Sequence, residues 1–516
     1  MVPVSEQIAQ FREQRAQADA LPTDCAPFTT SEHFKSKNAG AGKPKAKVWD
    51  HRLSVDSRSQ GSSPLKEANR GGRLDMITLG TARPSPQFYA WESLTMNCIQ
   101  DASGKENTPT TAMTAFKGDP QYDLSNALNY GFPAGSPQSV RFVTEHVEMI
   151  HNPPYRDWSS SLTCGTTSAI EMVLRIFCNP GDNILVEKYS YTGTLVGAKA
   201  QRIKTVGVDM DESGLSATAL DNMLQNWDTA NGPKPYVLYT IPTGQNPTSV
   251  TQTVERRKEL YQVAEKHDLV IVEDDPYIFL QLGDVTQHDL SSPELLQQYV
   301  DSLPPSYLSL DVSGRVIRLD STSKILAPGL RLGWITACQQ ILDLFLAYSE
   351  VSVMSPSGPS QIMMNKLLDQ TWGHEGFIRW LAHLSQVYSH RLHTMVDACQ
   401  RCIPMDICKW KMPDSGMFVW IDVDVSKHPK AGGNEPTEEL KRQVEDEIYQ
   451  KAKEGGVLIS KGSWFSSNTQ LTSDEVCLRI TFAAAKEEEL VPGIERLGEA
   501  VRAEFGLLQP TLHARM

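Results

Sequence analysis

The chain has 516 residues, 40% of them hydrophobic and 22% charged, with 49 Lys and Arg against 62 Asp and Glu for a net charge of −13. Such a chain has ample material for a large globular core, and its acidic excess argues against nucleic-acid binding, which needs a basic face. No apolar run nears the ~20 residues that span a bilayer, the start "MVPVSEQIAQFREQRAQADA" lacks the apolar stretch of a signal peptide, and nine scattered cysteines read as reduced thiols, so a cytoplasmic enzyme without membrane partners is expected.

Residues 1–75 read as a flexible arm, because "KSKNAGAGKPKAK" and "DSRSQGSSPLKEANRGG" are rich in Gly, Ser, Pro and Lys. From residue 76 the texture changes, and "DMITLGTARPSP" begins as a short strand and ends in turn residues. The segment "TTSAIEMVLRIF" (166–177) puts Ile170, Val173, Leu174 and Phe177 on one helical face and stops at "NPGD". Four short apolar runs follow: "NILVEKY", "PYVLYTIP", "LVIVEDD" and "RVIRLD". They have few alternating polar positions and are separated by helical stretches such as "TVERRKELYQVAEKH". That pattern predicts a parallel sheet covered on both faces, an α/β architecture over residues 76–385.

Residues 360–398 are predicted mostly helical, with Phe377, Leu381, Leu384, Tyr388, Leu392 and Met395 recurring every three or four positions. Beyond them come the alternating strand "GMFVWIDV", a polar insert at 426–436, an amphipathic helix, "GVLISKG" and "VCLRITFA". This predicts a smaller α+β domain over 386–516. "CQRC" at Cys399–Cys402, with Cys408 nearby, lacks the second ligand pair of a zinc site, so no metal is expected.

In doubly wound sheets ligands bind at the carboxyl ends of strands, so the polar residues after each apolar run are the candidates. "TIPTGQNPTS" supplies Asn246, "EDDPY" supplies Asp274 and Tyr277, and "STSK" supplies Ser321, Ser323 and Lys324, with Arg331 seven residues on. "TCGTTS" opens the 166–177 helix, with Gly165 freeing the backbone and Thr166 and Thr167 beside unpaired helical amides. Each alone is an ordinary cap or turn. Together they match one ligand, pyridoxal 5'-phosphate. Lys324 would bond the aldehyde, and Asp274 would keep the pyridine nitrogen protonated. Asn246 and Tyr277 would bond the phenolate oxygen, and Thr166, Thr167, Ser321, Ser323 and Arg331 the phosphate. Tyr191 in "KYSYTGT" would stack on the ring.

With these motifs in view the chain resembles the fold-type-I pyridoxal-phosphate aminotransferases, and within them the aromatic amino acid/2-aminoadipate/kynurenine aminotransferase branch. The resemblance rests on "ALNYGFPAGSP", "LTCGTTSAIEMVLRIFCNPGDNILVEKYSYTGTL", "IPTGQNPT", "VEDDPYIFLQL", "RVIRLDSTSKILAPGLRLGW", "SGMFVWIDV" and "CLRITFAAA". It implies that Arg479 grips the substrate α-carboxylate beside Asn246, and that Tyr130 reaches the phosphate site of a neighbouring subunit in a homodimer. It further implies transfer of an amino group from an aromatic amino acid to a 2-oxo acid such as 2-oxoglutarate, with Lys324 as proton shuttle. A 2-aminoadipate or kynurenine donor, a lyase or decarboxylase using the same cofactor, and a cofactor-binding transcription regulator are the alternatives. The chain departs from the family in carrying Thr81–Ala82 where a Gly-Gly pair is common near the substrate entrance. It also has Thr166–Thr167 where Ser-Gln is common, and Lys66 where an arginine is common.

Overall fold

The computed structural model describes residues 2–22, 25–61, 82–102, 108–283, 292–467 and 476–507. The expectations on Lys66, Thr81 and the strand at 76–81 lie outside these residues. An antiparallel ribbon comes first, β1 (Ser93–Ile99) with β2 (Thr110–Phe116). The central strands follow in chain order: β3 (Trp158–Thr163), β4 (Asn183–Glu187) and β5 (Lys204–Val208). After the small pair β6 (Met210–Asp211) and β7 (Gly214–Leu215) come β8 (Val237–Thr240), β9 (Val270–Asp274), β10 (Val316–Ser321) and β11 (Gly333–Cys338).

The seven-stranded sheet has the order β3-β11-β10-β9-β8-β4-β5. All four predicted apolar runs are strands in it, mutually parallel and buried along their length. The sheet is mixed, however, because β11 runs antiparallel to both β10 and β3. Neither β3 nor β11 was foreseen: "WSSSLT" is polar in sequence yet wholly buried, its backbone paired along its length with β11 and its Ser160 hydroxyl bonded to Thr336 at 2.8 Å.

The N-terminal arm needs correction. Val4–Gln17 is an α-helix whose Val4, Ile8 and Phe11 pack with Met149, Leu296 and Ile378. Arg15 from this helix pairs with buried Glu145 and, at 2.6 Å, with Asp369. Trp49 is fully buried in the main core. The Gly, Ser and Lys composition described the turns of this segment, while a few large apolar side chains decided where it packs.

A second sheet, in the order β12-β13-β15-β14, is antiparallel and comprises β12 (Cys408–Trp410), β13 (Phe418–Val423), β14 (Ser460–Lys461) and β15 (Val476–Thr481). Its core is shared with the helices Glu438–Glu454 and Glu487–Glu504. The helix Gly373–Cys402 joins the two cores: Phe377 and Leu381 pack in the larger, Leu392, Met395 and Cys399 in the smaller. The two sheets also meet main chain to main chain. Gly244 and Gly416, both with positive φ, lie so close that a Cβ on Gly244 would sit 2.7 Å from the Gly416 Cα.

Candidate active site

The carboxyl ends of β8, β9 and β10 and the start of the Thr166–Phe177 helix bring the candidates together. Lys324 follows β10 in a tight turn. Thr322 donates to Leu332 O at 2.8 Å, Leu326 N bonds Thr322 O at 2.8 Å, and the Trp380 indole closes the turn on Ile325 O at 2.7 Å. Burial holds the Lys324 pKa below its ordinary value. Asp274 pulls against that effect, while Arg479 and Arg331 reinforce it. The lysine is therefore biased toward the neutral amine that a nucleophile or base requires.

Asp274 ends β9 and is fully buried. Tyr239 from β8 donates to its Oδ2 at 2.6 Å, whereas Oδ1 has no partner among the described residues. Burial, with Asp275 and Asp320 nearby, pushes its pKa up to about 7 despite the Tyr239 bond. A buried carboxylate with one oxygen unsatisfied is costly, and a protonated ring nitrogen would supply the missing donor. Tyr277 is likewise buried, its ring edge-on to Phe418 at 5.7 Å.

At the other end, Gly165 has φ +88°, and a Cβ there would run into the Arg331 guanidinium. Arg331, itself at φ +48°, is exposed and lies 3.4 Å from the Ser323 hydroxyl and 3.1 Å from Pro328 O. Ser321 Oγ accepts from Ser323 N at 3.1 Å. The helix start has no side-chain cap, and Thr166 Oγ1 is buried without a partner among the described residues; Thr167 is exposed. Free helical amides, an unused hydroxyl and a guanidinium make an anion cradle. Tyr191 caps the Thr192–Ala200 helix, and its ring lies over Gly193, where a Cβ would collide with it.

Arg479 lies on β15 opposite Trp420 of β13 and Ser460 of β14. Its guanidinium is sandwiched between the Phe418 and Phe465 rings, 4.5 Å from each centroid. Nη1 donates to Asn246 Oδ1 at 2.6 Å and Nη2 to Ser460 Oγ at 3.2 Å, leaving Nε without a partner among the described residues. With both faces covered, only the edge of the fork can bind, which suits a planar carboxylate.

Two candidates stand apart. Tyr130 is 57% exposed beside Cys25 and Tyr89, and the contacts linking the other candidates do not include it. Ala82 is exposed. Sequence reasoning missed Tyr239, Gly193, Phe418 and Phe465. The first is hidden within an apolar run, Gly193 acts only by making room for the Tyr191 ring two residues before it, and the two phenylalanines act through Arg479, distant in sequence; the only local signal was the aromatic ending of "KGSWF". The unsatisfied oxygen of Asp274, the cradle at Gly165 and the depressed Lys324 fit pyridoxal phosphate.

Residues 91–497 match the family model for aminotransferase class I and II. An aminotransferase named swnA from Arthroderma benhamiae is 48% identical over 92% of this chain and 95% of its own. An aromatic amino acid aminotransferase from Schizosaccharomyces pombe is 37% identical over 89% of this chain and 98% of its own. The crystal structure of aminotransferase Aro8 from Candida albicans superposes with a TM-score of 0.82 at 37% identity, covering 90% of this chain and all of that one.

Proposed function

The chain belongs to the class I and II aminotransferases, pyridoxal-phosphate enzymes of fold type I, and from that premise we propose that it moves the amino group of an aromatic L-amino acid to a 2-oxo acid, with 2-oxoglutarate as the acceptor. Pyridoxal phosphate, when bound, supplies the carbonyl that carries the amino group and the sink for the electron pair left at Cα. Lys324, whose pKa burial lowers toward the neutral amine, would take the Cα proton and return it on the other side of the transfer. Asp274 holds the positive ring nitrogen, Asn246 and Tyr277 the phenolate oxygen, and Tyr191 the ring face. The Gly165–Thr167 turn, Ser321, Ser323 and Arg331 hold the phosphate. Arg479 and Asn246 orient the substrate carboxylate.

The observation that carries the reading is the Arg479 fork, clamped by Phe418 and Phe465 and bonded to Asn246. Those rings, with Tyr277 against Phe418, surround the proposed carboxylate clamp with aromatic side chains, surroundings that suit an aromatic donor. The name of the fission-yeast relative supports the same donor class. A second reading is a 2-aminoadipate, kynurenine or other amino acid donor, the alternative within the same branch; the name of the swnA relative specifies no substrate and favours neither. The cofactor spectrum of the purified enzyme, followed while Tyr, Phe, Trp, kynurenine, 2-aminoadipate and aliphatic amino acids are added in turn, tests the two. Fastest conversion by an aliphatic donor or 2-aminoadipate would overturn the aromatic assignment. Arg479→Lys should raise KM for the amino acid about 100-fold with a smaller change in kcat, since the charge stays but the fork is lost.

The reading includes a homodimer in which Tyr130 serves the partner's phosphate site. Its exposure, with Phe28, Val351, Val353 and Met363 also exposed, supports this. Light scattering that finds a monomer with full activity would sink it.

A further inference from the structure

Strand alternation sorts the acidic end of β9 onto two faces of the sheet. Glu273 and Asp275 point one way and Asp274 the other. On the first face Arg318 of β10 stands directly opposite Glu273. Its guanidinium is wholly buried, 3.0 Å from Glu273, 3.6 Å from Asp275, and paired two-pronged with Asp320 at 2.8 and 3.0 Å. Arg257, also buried, joins from the Val254–His267 helix by donating to Thr243 Oγ1 at 2.9 Å; that hydroxyl in turn donates to Asp275 Oδ2 at 3.0 Å. Two buried cations thus face three buried carboxylates.

Asp275 is the least satisfied of the three. Glu273 accepts from the Tyr307 and Leu308 amides, and Asp320 holds both prongs of Arg318. Asp275 has one hydroxyl and a cation at 3.6 Å, and its Oδ1 has no partner among the described residues. It neighbours Asp274 along the chain and raises that carboxyl's pKa. The other groups facing Asp274 are Tyr239, Asp320, Lys324, Tyr277 and Glu187 of β4. His146 and His151, beyond Arg318, are held neutral by burial.

We propose that Asp275 is a positioning residue that keeps the proton on the cofactor's ring nitrogen, acting through Asp274 from the opposite face of the sheet. This rests on the reading that Asp274 faces that nitrogen. A buried negative charge that Arg318 and Arg257 compensate only in part raises the proton affinity of the groups near it, so the Asp274–nitrogen pair keeps its proton to higher pH than Asp274 alone would allow. Because burial pushes the Asp275 carboxyl up to about 6, its charge is present only above that pH.

The test is a pH titration of the nitrogen-15 NMR signal of bound cofactor labelled at its ring nitrogen. Asp275→Asn should move the midpoint down by about one unit, the size of a one-charge interaction over ~10 Å at an effective dielectric of ~20. Its spectrum should converge with that of the unmutated enzyme below about pH 6. Asp275→Glu keeps the charge and should hold the midpoint, as should Thr243→Val, which removes only the hydroxyl. Where Asp275→Asn fails to fold, Asp320→Asn removes a charge from the same cluster and should shift the midpoint the same way. An unmoved midpoint in the charge-removing variant that folds, or an equal shift in Thr243→Val, overturns the proposal. Asp274→Asn separates the two levels. If it too leaves the titration unchanged, the Asp274 assignment itself fails; if it alone shifts the titration, only the role of Asp275 falls.

Discussion

The two ends of the candidate cofactor site are built on opposite principles. The end at Asp274 is dry: the carboxylate, Tyr239 and the cluster around Arg318 are buried and bonded across strands, with half-buried Lys324 at the edge. The end at Arg331 is more open, made of a glycine turn, exposed Thr167 and Arg331 and half-buried Ser323, with only Ser321 and the Thr166 hydroxyl buried among them. An unpaired group at the open end is satisfied by water at little cost, whereas one at the dry end is not. The dry end therefore sets the electronic state of whatever binds, and the open end sets how tightly it is held.

Substitutions can break that division or sharpen it. The largest effect belongs to Lys324, which lies between the ends: Lys324→Ala should lower kcat about 10⁴-fold, measured by single-turnover spectra with an aromatic donor. Retained transamination there would refute the whole site. Asp274→Asn should cost about 100-fold in kcat with little change in cofactor affinity. A loss confined to affinity would reverse the assignment of the two ends. Arg331→Ala and Gly165→Ala should instead weaken cofactor binding by about tenfold, read by equilibrium dialysis, with activity restored by excess cofactor. The glycine acts here because its positive φ and the adjoining guanidinium leave no place for a methyl group. Thr166→Val, which deletes the unused hydroxyl, should cost about fivefold in the same measurement.

The smallest prediction concerns pH. In the cofactor-free protein Asp274 and Glu187 titrate near 7, above their ordinary carboxyl range. The folded state then binds more protons than the unfolded between about pH 4 and 7, so stability falls as pH rises through that window. Bound cofactor supplies Asp274 with a cation, so the melting temperatures of the bound and free forms should diverge with rising pH. Parallel curves would show that Asp274 does not meet a positive group.

Much of the site was legible because parallel strands leave a plain trace. Apolar runs end in the residues that face a ligand, so Asn246, Asp274, Ser321 and Lys324 could be read as strand-end groups. What escaped was carried by pairing across distance. Asn246 and Arg479 are 233 residues apart yet bonded at 2.6 Å, and only the resemblance named the arginine. Arg318 looked like one polar break in an apolar run, and its three carboxylate partners come from two strands. Polar β3 is buried because its backbone pairs along its length with β11, with one hydroxyl bond across the pair from Ser160 to Thr336, something composition does not encode. The N-terminal helix shows the same limit: among polar and charged neighbours, three widely spaced apolar residues, Val4, Ile8 and Phe11, fix it to the body of the protein.

The contact between Gly244 and Gly416 bears on how this protein can change over generations. Asn246 lies two residues beyond one glycine and Phe418 two beyond the other, so the gap that receives a substrate is measured from a point where backbone rests on backbone. Side chains elsewhere in the two cores can be exchanged and repacked without moving that origin. The enzyme has, in effect, a calliper with a fixed zero. New donor preferences can be tried by altering the jaws at Phe418 or Phe465, while the point from which both loops are measured stays fixed.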